Sequence, residues 1–215
     1  MIEKMDAFFE ARLDGYDAHM LTNIAFAREF YPFTAALLPG EPGARILDLG
    51  CGTGLELEFY FQRNPVAQIT GIDLSQGMLE ALKKKFQDKD IQLIRGSYFD
   101  VPLGERVYDG AVSVESLHHF TGAEKLPLYR KLYAALKPGA AFVLTDYFAE
   151  SKENEKRYRA ELEELKRQQG IADQEFYHYD TPLTVEHERA LLEQAGFSVE
   201  LRGRWEATCT LVAQR

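Results

Sequence analysis

The chain has 215 residues, 46% of them apolar and 27% charged, and a formal net charge of −9. That size fits one domain, or one domain carrying a cap, with a core large enough to need neither disulfides nor metals. Two cysteines, Cys51 and Cys209, form no disulfide framework and no C-x-x-C pair, and the acidic balance argues against a phosphate-backbone partner.

No stretch reaches the ~20 apolar residues of a membrane span. The segment Met1-Ile2-Glu3-Lys4-Met5-Asp6 has no long apolar run behind its lysine, so no secretory signal is read there. With the cysteine usage, this gives a cytoplasmic expectation and no membrane partner.

From Asp6 to about Leu38, apolar and aromatic residues recur at helical spacing. The pattern predicts two helices, split near Gly15 and ended by Pro39-Gly40. Arg45 to Leu49 is a short apolar run ending in a glycine-rich turn, the signature of a buried parallel strand. Alternation follows: helix Leu55 to Arg63, strand Gln68 to Ile72 ending at Asp73, and a helix from Ser75 to about Phe86. Lys83-Lys84-Lys85 on that helix reads as a solvated face. Strands at Ile91–Ile94, Gly110–Val114 and Ala141–Thr145 enclose a helix from Leu126 to Leu136, which Lys137-Pro138-Gly139 stops.

Ser151 to Gln169 is a highly charged helix with a narrow stripe of Tyr158, Leu162 and Leu165. The aromatic run Phe176-Tyr177-His178-Tyr179 follows, then a helix from Thr184 to Ala195 and strands at Phe197–Leu201 and Ala207–Ala213. Strands alternating with helices imply βαβ units and a mostly parallel sheet.

The strongest chemical signal is Asp48-Leu49-Gly50-Cys51-Gly52-Thr53-Gly54, between a strand and a helix. Glycines there let the backbone turn and approach a ligand without Cβ interference. A dinucleotide fingerprint wants its third glycine at the sixth position. Counting from Gly50, that position is Leu55, which weakens a nicotinamide reading. Asp73, about 20 residues beyond the loop, is placed to accept hydrogen bonds from ribose hydroxyls; a solvated strand-end aspartate is the competing reading.

The order Asp-x-Gly-x-Gly-x-Gly resembles motif I of the class I S-adenosylmethionine-dependent methyltransferases of small-molecule type. Three further segments resemble that family: Gly96-Ser97-Tyr98-Phe99-Asp100-Val101-Pro102, Tyr108-Asp109-Gly110 through Leu117-His118-His119-Phe120, and Leu136-Lys137-Pro138-Gly139. The matches run from Arg45 to Asp146, and Thr184 to Phe197 resembles the family's last helix. The resemblance implies a doubly wound, seven-stranded, mostly parallel sheet of Rossmann-like methyltransferase type, with N-terminal helices and a helical cap insertion. It divides a single domain into an N-terminal cap (1–40), a cofactor core (44–147), a cap insertion (150–180) and a C-terminal helix with its strand pair (182–215).

The cofactor implied is S-adenosylmethionine. The resemblance places it against Asp48, Gly50, Cys51, Gly52 and Gly54, with Asp73, Leu74 and Met78 beyond them. Ser97 and Tyr98 would meet adenine, and Val114 and Glu115 the sulfonium end. Ser97 stands where the family usually has an aspartate, so that adenine contact is weaker. Glu115, His118 and His119 sit at the carboxyl end of a parallel strand, where ligands of open α/β sheets bind. A base is needed only for a protonated acceptor; otherwise these histidines position backbone, and no metal is invoked.

Specificity is assigned to the segments outside the core. Tyr16, His19 and Tyr31 from the first, with Tyr147, Phe176, Tyr177, His178 and Tyr179 from the second, would line an aromatic pocket for a small-molecule acceptor, core packing being the competing reading. Two rivals remain open. The cap and tail also bear some likeness to the carboxy-S-adenosylmethionine synthase of transfer RNA modification, and a cofactor-binding module without turnover would carry the same glycine loop. Acceptor atom, oligomeric state and pathway stay open.

Overall fold

The computed structural model describes residues 1–172 and 175–215. Asp173 and Gln174, inside the expected 150–180 insertion, lie outside the described residues. Seven strands form one sheet: β1 Arg45–Leu49, β2 Gln68–Asp73, β3 Asp90–Arg95, β4 Tyr108–Val114, β5 Leu136–Tyr147, β6 Ser198–Trp205 and β7 Thr208–Gln214. Their order is β3-β2-β1-β4-β5-β7-β6. The first five pair in parallel, and β7 runs antiparallel to both β5 and β6. This is the doubly wound sheet that the alternation predicts. The order reverses beside β1, so β1 and β4 flank the switch point where such sheets bind ligands.

The period-two alternation of the strands divides the core in two. Leu47 and Leu49 of β1 enter one cluster with Ala111, Phe142 and Leu144, while Ile46 enters the other with Val112 and Val143. Helices α6 (Gly122–Ala135) and α8 (Val185–Ala195) cover the first face through Leu128, Leu132, Leu191 and Leu192. Helices α3 (Ala27–Ala36), α4 (Leu55–Arg63) and α5 (Gln76–Lys85) cover the second through Phe30, Leu57, Tyr60, Leu79 and Leu82.

The N-terminal segment forms three helices, not two: α1 (Met5–Glu10), α2 (Tyr16–Asn23) and α3. The additional break lies between Asn23 and Ala27. Ile24 is extended (φ −83°, ψ 121°) and Phe26 is left-handed (φ 61°), which an apolar periodicity does not reveal. Helix α6 begins four residues before the expected Leu126 because Thr121 and Glu124 form a reciprocal capping box. It ends at Ala135, ahead of Lys137-Pro138-Gly139, which belongs to β5. Helix α7 (Lys152–Gln168) starts on the Ser151 cap and buries no residue fully, as its charge predicts.

Helices α6 and α8 are joined by a fully buried ion pair, Lys125 Nζ to Glu188 Oε2 at 2.5 Å, and the Tyr129 hydroxyl donates to Glu188 Oε1. Removing one partner strands a buried charge. Lys125→Met is therefore expected to destabilise the fold by roughly 3–5 kcal/mol. Urea unfolding measures this, and a loss under about 1 kcal/mol, the range of an exposed pair, would contradict it.

Candidate active site

The turn after β1 is built by close approach. A Cβ on Gly50 (φ 73°) would lie 2.1 Å from Ser116 Oγ, in the turn after β4. A Cβ on Gly54 would press on Phe86, Leu82 and Leu57, so the third glycine seats α4 against α5. At Gly52 nothing stands within 4 Å, which leaves that backbone open to the cleft. The Gly52 N–H donates to Asp73 Oδ2 at 2.9 Å, and the Ser75 N–H donates to Asp73 Oδ1 at 2.9 Å. Burial raises the Asp73 pKa, opposed by these backbone donors. Each carboxylate oxygen keeps further acceptor capacity, so the residue fits a diol ligand such as ribose.

The cleft over this loop is walled by Gly50, Gly52, Asp73, Leu74 and Met78 on one side and by Tyr98, Val114 and Glu115 on the other. Met5, Phe9 and Tyr16 of the N-terminal helices lie across it, leaving a cavity of about 60 Å³. A nucleoside-sized ligand needs more room, so its access requires α1 and α2 to shift. Several bonds hold these helices down. Glu10 Oε1 accepts from the Gly77 N–H (3.0 Å) and the Ser75 hydroxyl (3.2 Å), and Lys85 donates to Asp17 Oδ2 (2.5 Å). Lys85 is thus the anchor of the cap, while Lys83 and Lys84 form the solvated face. At the other end, Met5 N–H donates to Phe176 O (2.9 Å) and His178 N–H to Glu3 O (3.0 Å), and the Phe8 ring stacks on His178 at 3.5 Å.

At the end of β4, Glu115 has a left-handed backbone (φ 50°), the kind of strain that collects at functional sites. Burial, then the nearby Asp146 carboxylate, pushes its pKa up to about 8. His118 Nδ1 lies 2.6 Å from Asp146 Oδ1, and Asp146 Oδ2 accepts the Leu117 N–H at 2.9 Å. Burial opposes protonation of His118, yet Asp146 and Asp180 override it and raise its pKa well above the ordinary value. Burial and the His118 charge lower His119. Burial, then His119, depresses His178 to about 4.

Beside these groups opens a second cavity of about 850 Å³, which shares Phe9, Tyr16, Glu115 and His119 with the cleft. Phe8, Met20, Tyr147 and Trp205 add apolar wall; His118, His178 and Asp180 add polar wall.

A family profile described as a methyltransferase domain matches residues 46–139. A biotin biosynthesis bifunctional protein from Teredinibacter turnerae is 31% identical over 169 residues, covering 74% of this chain and 27% of that one. A malonyl-acyl-carrier-protein O-methyltransferase from Priestia megaterium is 34% identical over 102 residues, 47% of this chain and 36% of its own. The chain thus spans about a third of the length of these curated relatives. An S-adenosylmethionine-dependent methyltransferase structure from Mesorhizobium loti superposes with a TM-score of 0.62 at 22% identity, over 86% of this chain and 96% of that one, and shows the fold. Residues 46–139 thus form a methyltransferase domain, on the fold of the class I S-adenosylmethionine-dependent enzymes. Its cofactor is therefore S-adenosylmethionine.

Against that family frame, the residues anticipated for the cofactor separate into two groups. Gly50, Gly52, Asp73, Leu74, Met78, Tyr98, Val114 and Glu115 line the cleft. Gly54 serves helix packing, and the Cys51 side chain points into the sheet against Gly71. Ser97 faces a separate groove, where its hydroxyl accepts the Phe99 N–H at 3.2 Å. Asp48 lies beneath the loop, buried. Of the aromatic pocket, Tyr16, His19, Tyr147 and His178 line the large cavity. Tyr31 does not: at 3% exposed it packs in the core against Phe30. Phe176 and Tyr177 line the groove beside Ser97, and the Tyr179 hydroxyl donates to Glu161 on α7. The sequence reading did not single out Met5, Ser116, Trp205 or Asp180. Asp180, directly after the aromatic run, offered a signal; Trp205 offered none, because only the β6–β7 turn brings it round.

Asp48 pairs with Glu56 of α4. Both are buried, and among the described residues neither Asp48 Oδ2 nor Glu56 Oε1 meets a donor from a third group. Burial, then Glu56, raises Asp48 well above its ordinary pKa, and burial raises Glu56 as well. A carboxyl pKa raised on folding contributes stability below the unfolded value of 3.8 and loses it as pH rises toward the folded pKa. Asp48→Asn keeps the shape without the titration. Denaturant unfolding between pH 5 and 9 should show the variant gaining on the wild type as pH rises; parallel curves would contradict the raised Asp48 pKa.

Proposed function

We propose that the chain transfers a methyl group from S-adenosylmethionine to a small, partly apolar acceptor held in the 850 Å³ cavity. The observation that carries this reading is the shared wall: Phe9, Tyr16, Glu115 and His119 border both that cavity and the cofactor cleft. An acceptor there would meet the cofactor at the carboxyl end of β4. The volume lies in the range of small-ligand sites, and an apolar wall with few convergent polar groups is their usual make-up. The net charge of −9 favours such an acceptor over nucleic acid.

When bound, S-adenosylmethionine supplies an activated methyl group for in-line displacement. The protein's share is positioning and exclusion of water. Asp73 and the open Gly52 backbone would hold the ribose and methionine portions, with Leu74 and Met78 as apolar wall. Met5, Phe9 and Tyr16 close over them and exclude water. Asp146 fixes His118, and with it the wall that faces the acceptor. Such orientation can lower a barrier by roughly 7–11 kcal/mol.

Asp73→Ala should weaken S-adenosylhomocysteine binding by about 2–4 kcal/mol, through loss of two charge-assisted ribose bonds. Calorimetric titration measures this; affinity within threefold of wild type in a folded variant would refute the Asp73 assignment. Tyr147→Ala should leave that affinity in place and slow methyl transfer to any acceptor that a screen finds. A variant of Tyr147 with wild-type turnover would move the acceptor out of this cavity.

A further inference from the structure

Three side chains on the wall of the large cavity converge in a way that methyl transfer itself does not require. Asp146 has both oxygens engaged, one by His118 Nδ1 at 2.6 Å and the other by the Leu117 N–H at 2.9 Å. That contact fixes the ring and aims Nε2 outward, the arrangement in which a carboxylate orients a metal-binding imidazole. Nε2 faces Asp180 Oδ1 at 3.5 Å, and His119 Nδ1 lies 3.3 Å from the same oxygen. One donor atom from each of His118, His119 and Asp180 falls within 4.8 Å of the other two.

His119 Nδ1 also lies 3.3 Å from the Tyr179 carbonyl oxygen, and the spacing to Asp180 leaves room for an ion. A hydrogen bond from a ring nitrogen to a carboxylate closes to about 2.7–2.9 Å, as the His118–Asp146 contact of 2.6 Å does. Donor atoms about 2.0–2.2 Å from a tetrahedral zinc ion stand roughly 3.4 Å apart. Both histidines are 8% exposed, while the Asp180 side chain is 52% exposed at the rim of the large cavity. Asp146, Asp180 and Glu115 surround it with carboxylates, a field that draws a cation. Two imidazoles and one carboxylate are a donor set for zinc and its first-row neighbours, not for magnesium or calcium.

We propose that His118, His119 and Asp180 bind a first-row divalent transition ion, zinc by coordination preference, with a position left open toward the acceptor cavity. The site stands independently of methyl transfer. Its use rests on the proposed function: the ion would hold an oxygen, nitrogen or sulfur atom of the acceptor beside the cleft, which narrows the acceptor class to molecules carrying a metal-ligating heteroatom.

Calorimetric titration of the chelator-treated protein with Zn²⁺ is expected to show one site of micromolar or tighter affinity, and Co²⁺ to bind with visible absorption bands of low coordination number. Asp180→Asn should weaken Zn²⁺ at least tenfold. Asp146→Asn, which touches no ion, should weaken it about 10–100-fold by releasing His118. Both variants are compared for S-adenosylhomocysteine affinity, so that loss of the ion and failure of the cofactor reading are told apart. Wild-type protein that takes up no Zn²⁺, or Asp180→Asn protein that binds it as tightly as wild type, overturns the proposal. If Asp180→Asn does not fold, His119→Gln replaces it with the same two outcomes.

Discussion

The hydrogen bond from the Gly52 amide to Asp73 Oδ2 ties the turn after β1 to the end of β2, and the site is arranged around it. It fixes a carboxylate at the switch point of the sheet, where no strand continues and a ligand can enter. It also fixes the turn itself, which must pass so near Ser116 that any side chain on Gly50 would collide with it. Three strand ends, β1, β2 and β4, are thereby locked to one another at the ligand's edge. The buried Asp48–Glu56 pair lies beneath, and burial raises the pKa of both carboxyls, because charge under the loop is costly.

Two segments far apart in sequence then close over this edge. Residues Glu3 to Glu10 pair with Phe176 and His178 on one side and with Ser75 and Gly77 on the other. The Phe8–His178 stack completes the strap. Apart from the buried Met5, its contacts are hydrogen bonds and the Phe8 and Phe9 rings against His178, local packing of the kind from which ligand-gating elements are drawn. The same strap forms part of the large cavity, through Phe8, Phe9 and His178. The cover of the cleft and the wall of the large cavity are therefore joined through one element.

The parallel strands were legible because buried strands read as apolar runs and the glycine turn has few other uses. β1 occupies Arg45–Leu49 and β2 reaches Asp73, as read. Ser75, Thr184 and Gly196 mark helix ends through their own side-chain or backbone chemistry, and all three do so in the structure. Boundaries set by longer-range effects escaped. Phe26 adopts a left-handed conformation that no apolar pattern announces. Thr121-Gly122-Ala123-Glu124 carried a capping signal that the apolar pattern from Leu126 overshadowed.

The site was legible where one motif holds several groups and illegible where the fold joins distant ones. Asp73 and the loop glycines meet within βαβ geometry. Tyr31, by contrast, shares the aromatic character of Tyr16 and differs only in which helix face it occupies, so composition could not separate core from cavity. The cluster of His118, His119, Asp146 and Asp180 draws on the turn after β4, the end of β5 and the residue after the aromatic run, and shows no spacing along the chain.

The most direct test of the central claim is parallel calorimetric titration of the wild-type protein with S-adenosylhomocysteine and NAD. One-to-one binding of the adenosyl ligand in the micromolar range, with no heat for NAD, is the predicted result. Binding of NAD alone, or of neither ligand, would contradict the assignment of the cleft.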